Sequence, residues 1–150
     1  MKIQFAGLAA LLLSSAAYGA LAGDMPPMTV HKDPNCGCCT AWTDLAEEAG
    51  YKVNVITDED MAALKERLHV PAALQSCHTV EVGGYVAEGH VPLEALARLL
   101  EERPDVQGIA VPGMPAGSPG MGDDPDARYD VVLWGGEAGN GEIYERMGVK

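Results

Sequence analysis

At 150 residues the chain has room for one domain with a real core, and not for two ordinary ones. Its 22 acidic side chains against 10 basic ones leave a formal charge of -12 at pH 7. Such a chain repels nucleic acid and anionic membrane, which excludes both as charge-held partners, and it is compatible with cations.

Residues 1–22, MKIQFAGLAALLLSSAAYGALA, read as a secretory signal peptide. Lys2 supplies the positive start, Phe5 to Leu13 the short apolar segment, and Ala20-Leu21-Ala22 the cleavage site before Gly23. The rival reading is a membrane anchor, but Ser14, Ser15 and Gly19 interrupt a run that is short for a span. The expectation is therefore export to the periplasm, with no stable membrane insertion after cleavage. GDMPP (23–27) has no periodic pattern and reads as a flexible lead-in.

MTVHK (28–32) is a strand candidate, broken by Asp33-Pro34-Asn35. From Cys38 the pattern turns helical, with Trp42, Leu45, Ala46 and Ala49 on one side and Asp44, Glu47 and Glu48 on the other. Gly50 stops that helix, and YKVNVIT (51–57) alternates as a half-buried strand. Thr57 with Asp60 resembles a capping box for a helix whose inner face is Met61, Leu64 and Leu68. In SCHTVEVGGYVAEGHVP, two alternating runs flank Gly83-Gly84, a strong hairpin signal because a type I′ turn needs positive φ at both central positions. Pro92 opens a third helix with Leu93, Leu96, Leu99 and Leu100 on its apolar side, Glu94 placed to pair with Arg98, and an end near Pro104.

Strand, helix, strand, helix, hairpin, helix is a thioredoxin-like α/β layout, a mixed sheet with helices on both faces. A ferredoxin-like αβ sandwich is the nearest competitor. We assign residues 28–104 to this domain and 105–150 to an extension packed on it. The extension begins with a Gly/Pro-rich stretch, AVPGMPAGSPGMGDDPDAR, too apolar for a pure linker and better read as an ordered loop folded back on the domain. YDVVLWG (129–135) adds a strand, and EIYERM a short strand or helical turn.

Four cysteines, Cys36, Cys38, Cys39 and Cys77, lie in the exported portion. Two stapling disulfides fit them poorly, because bonding Cys38 to Cys39 demands strained geometry and the other pairings force short loops. With the diglycine as a two-residue turn, facing positions sum to 167, so Val80 opposes Ala87, Val82 opposes Tyr85 and Cys77 opposes His90. Val80, Val82, Tyr85 and Ala87 read as the core face. In the expected fold the hairpin entrance lies near the start of the first helix, so Cys77 and His90 approach the other three thiols. Thiolates with an imidazole form a soft donor set suited to copper as Cu(I), with Cu(II) as its second state; zinc fits this spacing less well. His78 is expected to face away into the core, His31 to lie near the site or in solvent, and His69 at the surface. Met114 and Met121 offer thioethers in the loop, with loop packing as the simpler role.

NCGCCTAW, VPAALQSCHT, GYVAEGHVP and AVPGMPAGSPGM together resemble the exported copper-resistance family CopG, over Met28 to Met147. The resemblance implies a thioredoxin-like fold, copper handling beside other periplasmic copper-handling proteins, and copper bound by Cys36, Cys38, Cys39 and Cys77 with His90 in the site. The alternative from the residues themselves is a thiol–disulfide oxidoreductase, since Cys36-Gly37-Cys38-Cys39 is also a C-x-x-C at the head of a helix.

Overall fold

The computed structural model describes residues 25–57 and 60–148. The expected signal peptide, and with it the first two residues of the lead-in, lies outside the described residues. Among the described residues no helix is long and apolar enough to cross a membrane.

Seven strands form one mixed sheet with three helices around it, a thioredoxin-like α/β fold. β1 (Met28–Lys32) pairs in parallel with β2 (Val53–Ile56) at the sheet edge and antiparallel with β3 (His78–Val82). β3 turns into β4 (Tyr85–Glu88) through Gly83 and Gly84, at φ 57° and 90°, the two positive values a type I′ turn requires. The register is the expected one, with Val82 opposite Tyr85, Val80 opposite Ala87 and Thr79 opposite Glu88. β5 (Gly108–Ala110) runs parallel to β4, and β6 (Tyr129–Trp134) and β7 (Glu142–Met147) complete the sheet as antiparallel neighbours. The sheet is therefore continuous from the residues before 104 to those after it.

α1 (Gly37–Glu48) and α3 (Leu93–Glu102) cover the face that carries Met28, Val30, Val80, Val82, Ala87 and Ile109. Trp42 of α1 is fully buried there, and its indole N–H donates to the Val91 carbonyl at 2.9 Å. α2 (Met61–Arg67) lies on the other face, where Val86, Ala110 and Trp134 form a smaller apolar cluster. Lys65 from α2 reaches into that face and donates to Thr79 Oγ1 at 2.8 Å and to the Glu88 carboxylate.

Several local expectations shift. Leu45 is 38% exposed, and the buried stripe of α1 is Cys39, Trp42, Thr43 and Ala46 instead. The cap of α2 is Asp60 itself, which accepts from the Ala62 and Ala63 amides at 3.1 and 3.2 Å, so Thr57 is not needed for it. Arg98 reaches Tyr144 Oη at 2.8 Å and Glu145 at 3.2 Å on β7, and Glu102 at 3.8 Å one turn on in its own helix, rather than back to Glu94. β5 is absent from the sequence reading. It is three residues long and starts at Gly108, where a Cβ would meet the Trp134 ring at 2.4 Å. The missing side chain lets the indole close over the strand, and it also removes the usual strand signal.

Candidate metal centre

The site forms where β1 hands over to α1. Cys36 occupies the N-cap of α1 and its Sγ accepts the Cys39 amide at 3.3 Å, so a sulfur takes the place of the usual capping oxygen. Cys36 and Cys39 are joined as a disulfide, and Cys38 and Cys77 are free thiols. This pairing leaves the strained Cys38–Cys39 bond unmade. Cys38 Sγ lies 3.5 Å from Cys36 Sγ. Cys77 arrives from the entrance to β3, and all four Sγ atoms lie within 4.8 Å of one another.

A second group of donors shares Cys77. Its Sγ is 3.0 Å from His90 Nε2 and 3.4 Å from His78 Nδ1. The β3–β4 ladder ends at Thr79 opposite Glu88, and Gly89, at φ 75°, then swings the chain so that His90 comes to face Cys77. His90 Nδ1 sits 2.7 Å from the Pro119 carbonyl. A carbonyl only accepts, so Nδ1 carries the proton and Nε2 presents its lone pair to Cys77. This is the arrangement in which metal-binding histidines are held.

His78 lies in the core as expected, but it does not face away from Cys77. It is fully buried and rests on the Trp42 ring, at 5.0 Å between centroids, yet its other edge meets Cys77 and the His90 ring. Strict alternation would send it away from Cys77, but Cys77 lies one residue outside the strand, where alternation no longer holds. His31 is buried and bonds Glu81 at 3.0 Å, and it belongs to neither donor group. His69 is exposed, in the left-handed region after α2. Met114 is exposed and Met121 half-buried.

The loop after β5 closes over the site. A Cβ on Gly120 would stand 2.8 Å from both the Cys38 carbonyl and the Trp42 amide nitrogen, so only glycine permits this approach to the first turn of α1. Pro119, one residue earlier, supplies the carbonyl that holds His90.

Burial dominates the electrostatics. It pushes the Cys77 thiol up to about 11, against a hydrogen bond from Ser76 that favours the thiolate. His78 is pushed down to about 3 by burial, with the charges of His90, Lys65 and Lys32 adding to the effect. His90 is lowered as well, by burial opposed by its bond to Pro119. Both imidazoles are therefore neutral at pH 7 and keep a lone pair. Sulfur and neutral imidazole at these separations are a soft-to-borderline donor set, the chemistry that copper ions prefer.

A family model described as "Protein of unknown function, DUF411" matches residues 74–121, the span from the approach to Cys77 through His90 to the closing loop. No curated protein matches the chain. Two solved structures titled "Copper resistance protein copG", Form 1 and Form 2, each share 41% sequence identity with it over 81% of this chain. They are covered over 97% and 98% of their own lengths, with TM-scores of 0.74 and 0.75. At that identity and coverage, the chain belongs to the copper resistance protein CopG family.

Proposed function

We propose that this protein is exported to the periplasm and binds copper there, holding Cu(I) on Cys36, Cys38, Cys39 and Cys77 with His90 alongside. It buffers the ion or passes it to other copper-handling proteins, and Cu(II) is its second oxidation state. The observation that carries the reading is the convergence of four Sγ atoms within 4.8 Å, three from one turn and one from 38 residues further on. Family membership supports the choice of copper over zinc.

The disulfide must take up two electrons and two protons to give four thiols, so metal capacity depends on the redox state of Cys36 and Cys39. The start of α1 favours thiolates through its free N–H groups. Loading Cys77 expels its proton, which burial otherwise retains. His90 is pre-set in the tautomer whose Nε2 faces the sulfur. The half-buried loop residues Pro119 and Gly120 hold the loop against His90 and the first turn of α1.

A second reading, thiol–disulfide exchange through Cys36 and Cys39, is favoured by one observation: these two sulfurs are bonded at a helix start. Cys38→Ser separates the two. It removes one soft donor and leaves the C-x-x-C intact. Copper binding predicts a lower Cu(I) stoichiometry or affinity and little disulfide-reductase activity in either form. Unchanged Cu(I) binding with strong reductase turnover would promote exchange to the primary function.

A further inference from the structure

Closing the Cys36–Cys39 disulfide removes two thiolates from the sulfur group but touches none of the donors in the second group, Cys77, His78 and His90. We propose that these three side chains form a separate mixed-donor site for a divalent cation of borderline softness, of the Zn(II) kind, complete while the disulfide is closed. The proposal extends the copper site above, with which it shares Cys77 and His90, and its ligand set, metal class and redox state are different.

Three observations carry it. The first is spacing. With metal–sulfur and metal–nitrogen bonds of about 2.3 and 2.0 Å, sulfur and nitrogen on a tetrahedral ion stand about 3.5 Å apart. The Cys77–His78 and Cys77–His90 separations are 3.4 and 3.0 Å, so the donors need only small movements to close on an ion.

The second is preparation of the imidazoles. Pro119 fixes His90 with Nε2 towards the site. His78 stands edge-to-face against the His90 ring at 4.9 Å and is clamped by Trp42. Among the buried side chains described, the far nitrogen of His78, Nε2, has no hydrogen-bond partner. A fully buried imidazole left half-unsatisfied costs stability. The apolar Trp42 face would be better served by a phenylalanine if packing were the only requirement on this position.

The third is access. Cys77 is only half-buried while both histidines are enclosed, which leaves one side of the trio open for an entering ion and a fourth ligand such as water. Two imidazoles and one thiolate are intermediate in softness, a combination that suits a borderline divalent ion such as Zn(II) better than the all-sulfur group does. Cys77 then belongs to both groups, and the state of the disulfide decides which group is complete.

The test uses the mature chain with Cys36–Cys39 oxidised and two free thiols counted, titrated with Co(II) as a coloured substitute and then with Zn(II). The expected result is one Co(II) per chain, with the visible bands of a four-coordinate ion and a sulfur charge-transfer band, displaced by one Zn(II). His78→Phe, which keeps the contact with Trp42, should weaken binding at least tenfold. Zn K-edge absorption of the loaded wild-type protein needs no variant and should give two imidazole nitrogens and one sulfur. Absence of Co(II) binding in the oxidised chain would overturn the proposal, as would one imidazole with two sulfurs at the edge. Cu(I) binding by the reduced chain is scored separately, so loss of either result leaves the other standing.

Discussion

At the open end of the β3–β4 hairpin, the two faces of the sheet treat their ionisable groups in opposite ways. Under α2, Lys65, Thr79 and Glu88 are all buried and all paired: Glu88 accepts from Lys65, from Thr79 at 2.6 Å and from the Ser76 amide at 2.7 Å. Under α1, Cys77, His78 and His90 are crowded together, and among the described residues Nε2 of His78 has no hydrogen-bond partner. A charge removed from water must be paired or it destabilises the fold, whereas a neutral lone pair can wait for a ligand at lower cost. The first face is built as a closed network and the second as a donor set. They meet at Ser76, whose amide is held by Glu88 and whose neighbour is Cys77, so the charged network fixes the backbone from which the thiol projects.

The sharpest way to break this contrast is to unpair the closed face. Glu88→Gln leaves the Lys65 ammonium buried without its carboxylate and should cost about 3–5 kcal/mol in chemical denaturation. Replacing Lys65 with Met and Glu88 with Leu together should recover most of that loss. A Glu88→Gln cost below about 1 kcal/mol would mean that the pair is not the bearing it looks like.

Gly120→Ala attacks the donor face from the loop side. The added Cβ meets the Cys38 carbonyl and the Trp42 amide at 2.8 Å, at a residue whose φ is 81°. A cost of about 1–3 kcal/mol is expected from strain of this kind. Because Pro119 must shift with it, the His90 Nδ1–H resonance should also lose its protection from exchange. Retained protection would show that the loop and the histidine are uncoupled.

The smallest effect expected is a pH dependence of the metal-free protein. His78 stays neutral in the fold down to about pH 3, while in the unfolded chain it takes up a proton below about pH 6.5. The unfolded state therefore binds more protons between those values, and stability falls as pH drops through that window. The contribution is complete above the unfolded value, and one pH unit below it the loss is about 1.4 kcal/mol at most. His78→Phe should flatten that part of the stability–pH curve by the same amount. An unchanged slope would mean that His78 is not the group being protected.

The parts legible in sequence were those with local chemistry. The diglycine dictates its turn and the register as far as Thr79 opposite Glu88, and beyond the ladder Gly89 redirects the chain so that His90 meets Cys77. The C-x-C-C run at a strand-to-helix junction marks the site without any knowledge of tertiary structure. What stayed hidden depended on contacts between distant residues. Leu45 sits at helical spacing with Trp42 but faces out, because the loop rather than the sheet lies beside it, along an open cavity of about 520 Å³. β5 is invisible because Gly108 carries no strand preference, and the Trp134 ring that explains it comes 26 residues later. His78 is buried on the core face as alternation implies, but its contact with Cys77 arises where the chain leaves the strand, which alternation does not describe. The Lys65–Glu88 pair joins two elements that nothing in the sequence links.

If the cysteines act as one copper-binding unit, the state of the Cys36–Cys39 disulfide controls its affinity for Cu(I). The most direct measurement is a Cu(I) titration of the mature chain under anaerobic conditions, against a calibrated chelator, in two preparations: fully reduced with four free thiols, and oxidised with two. Tight Cu(I) binding by the reduced chain is expected, with free thiols lost in step with the metal taken up and binding at least a hundredfold weaker in the oxidised chain. Equal Cu(I) affinity in both preparations, or none in the reduced one, would contradict it.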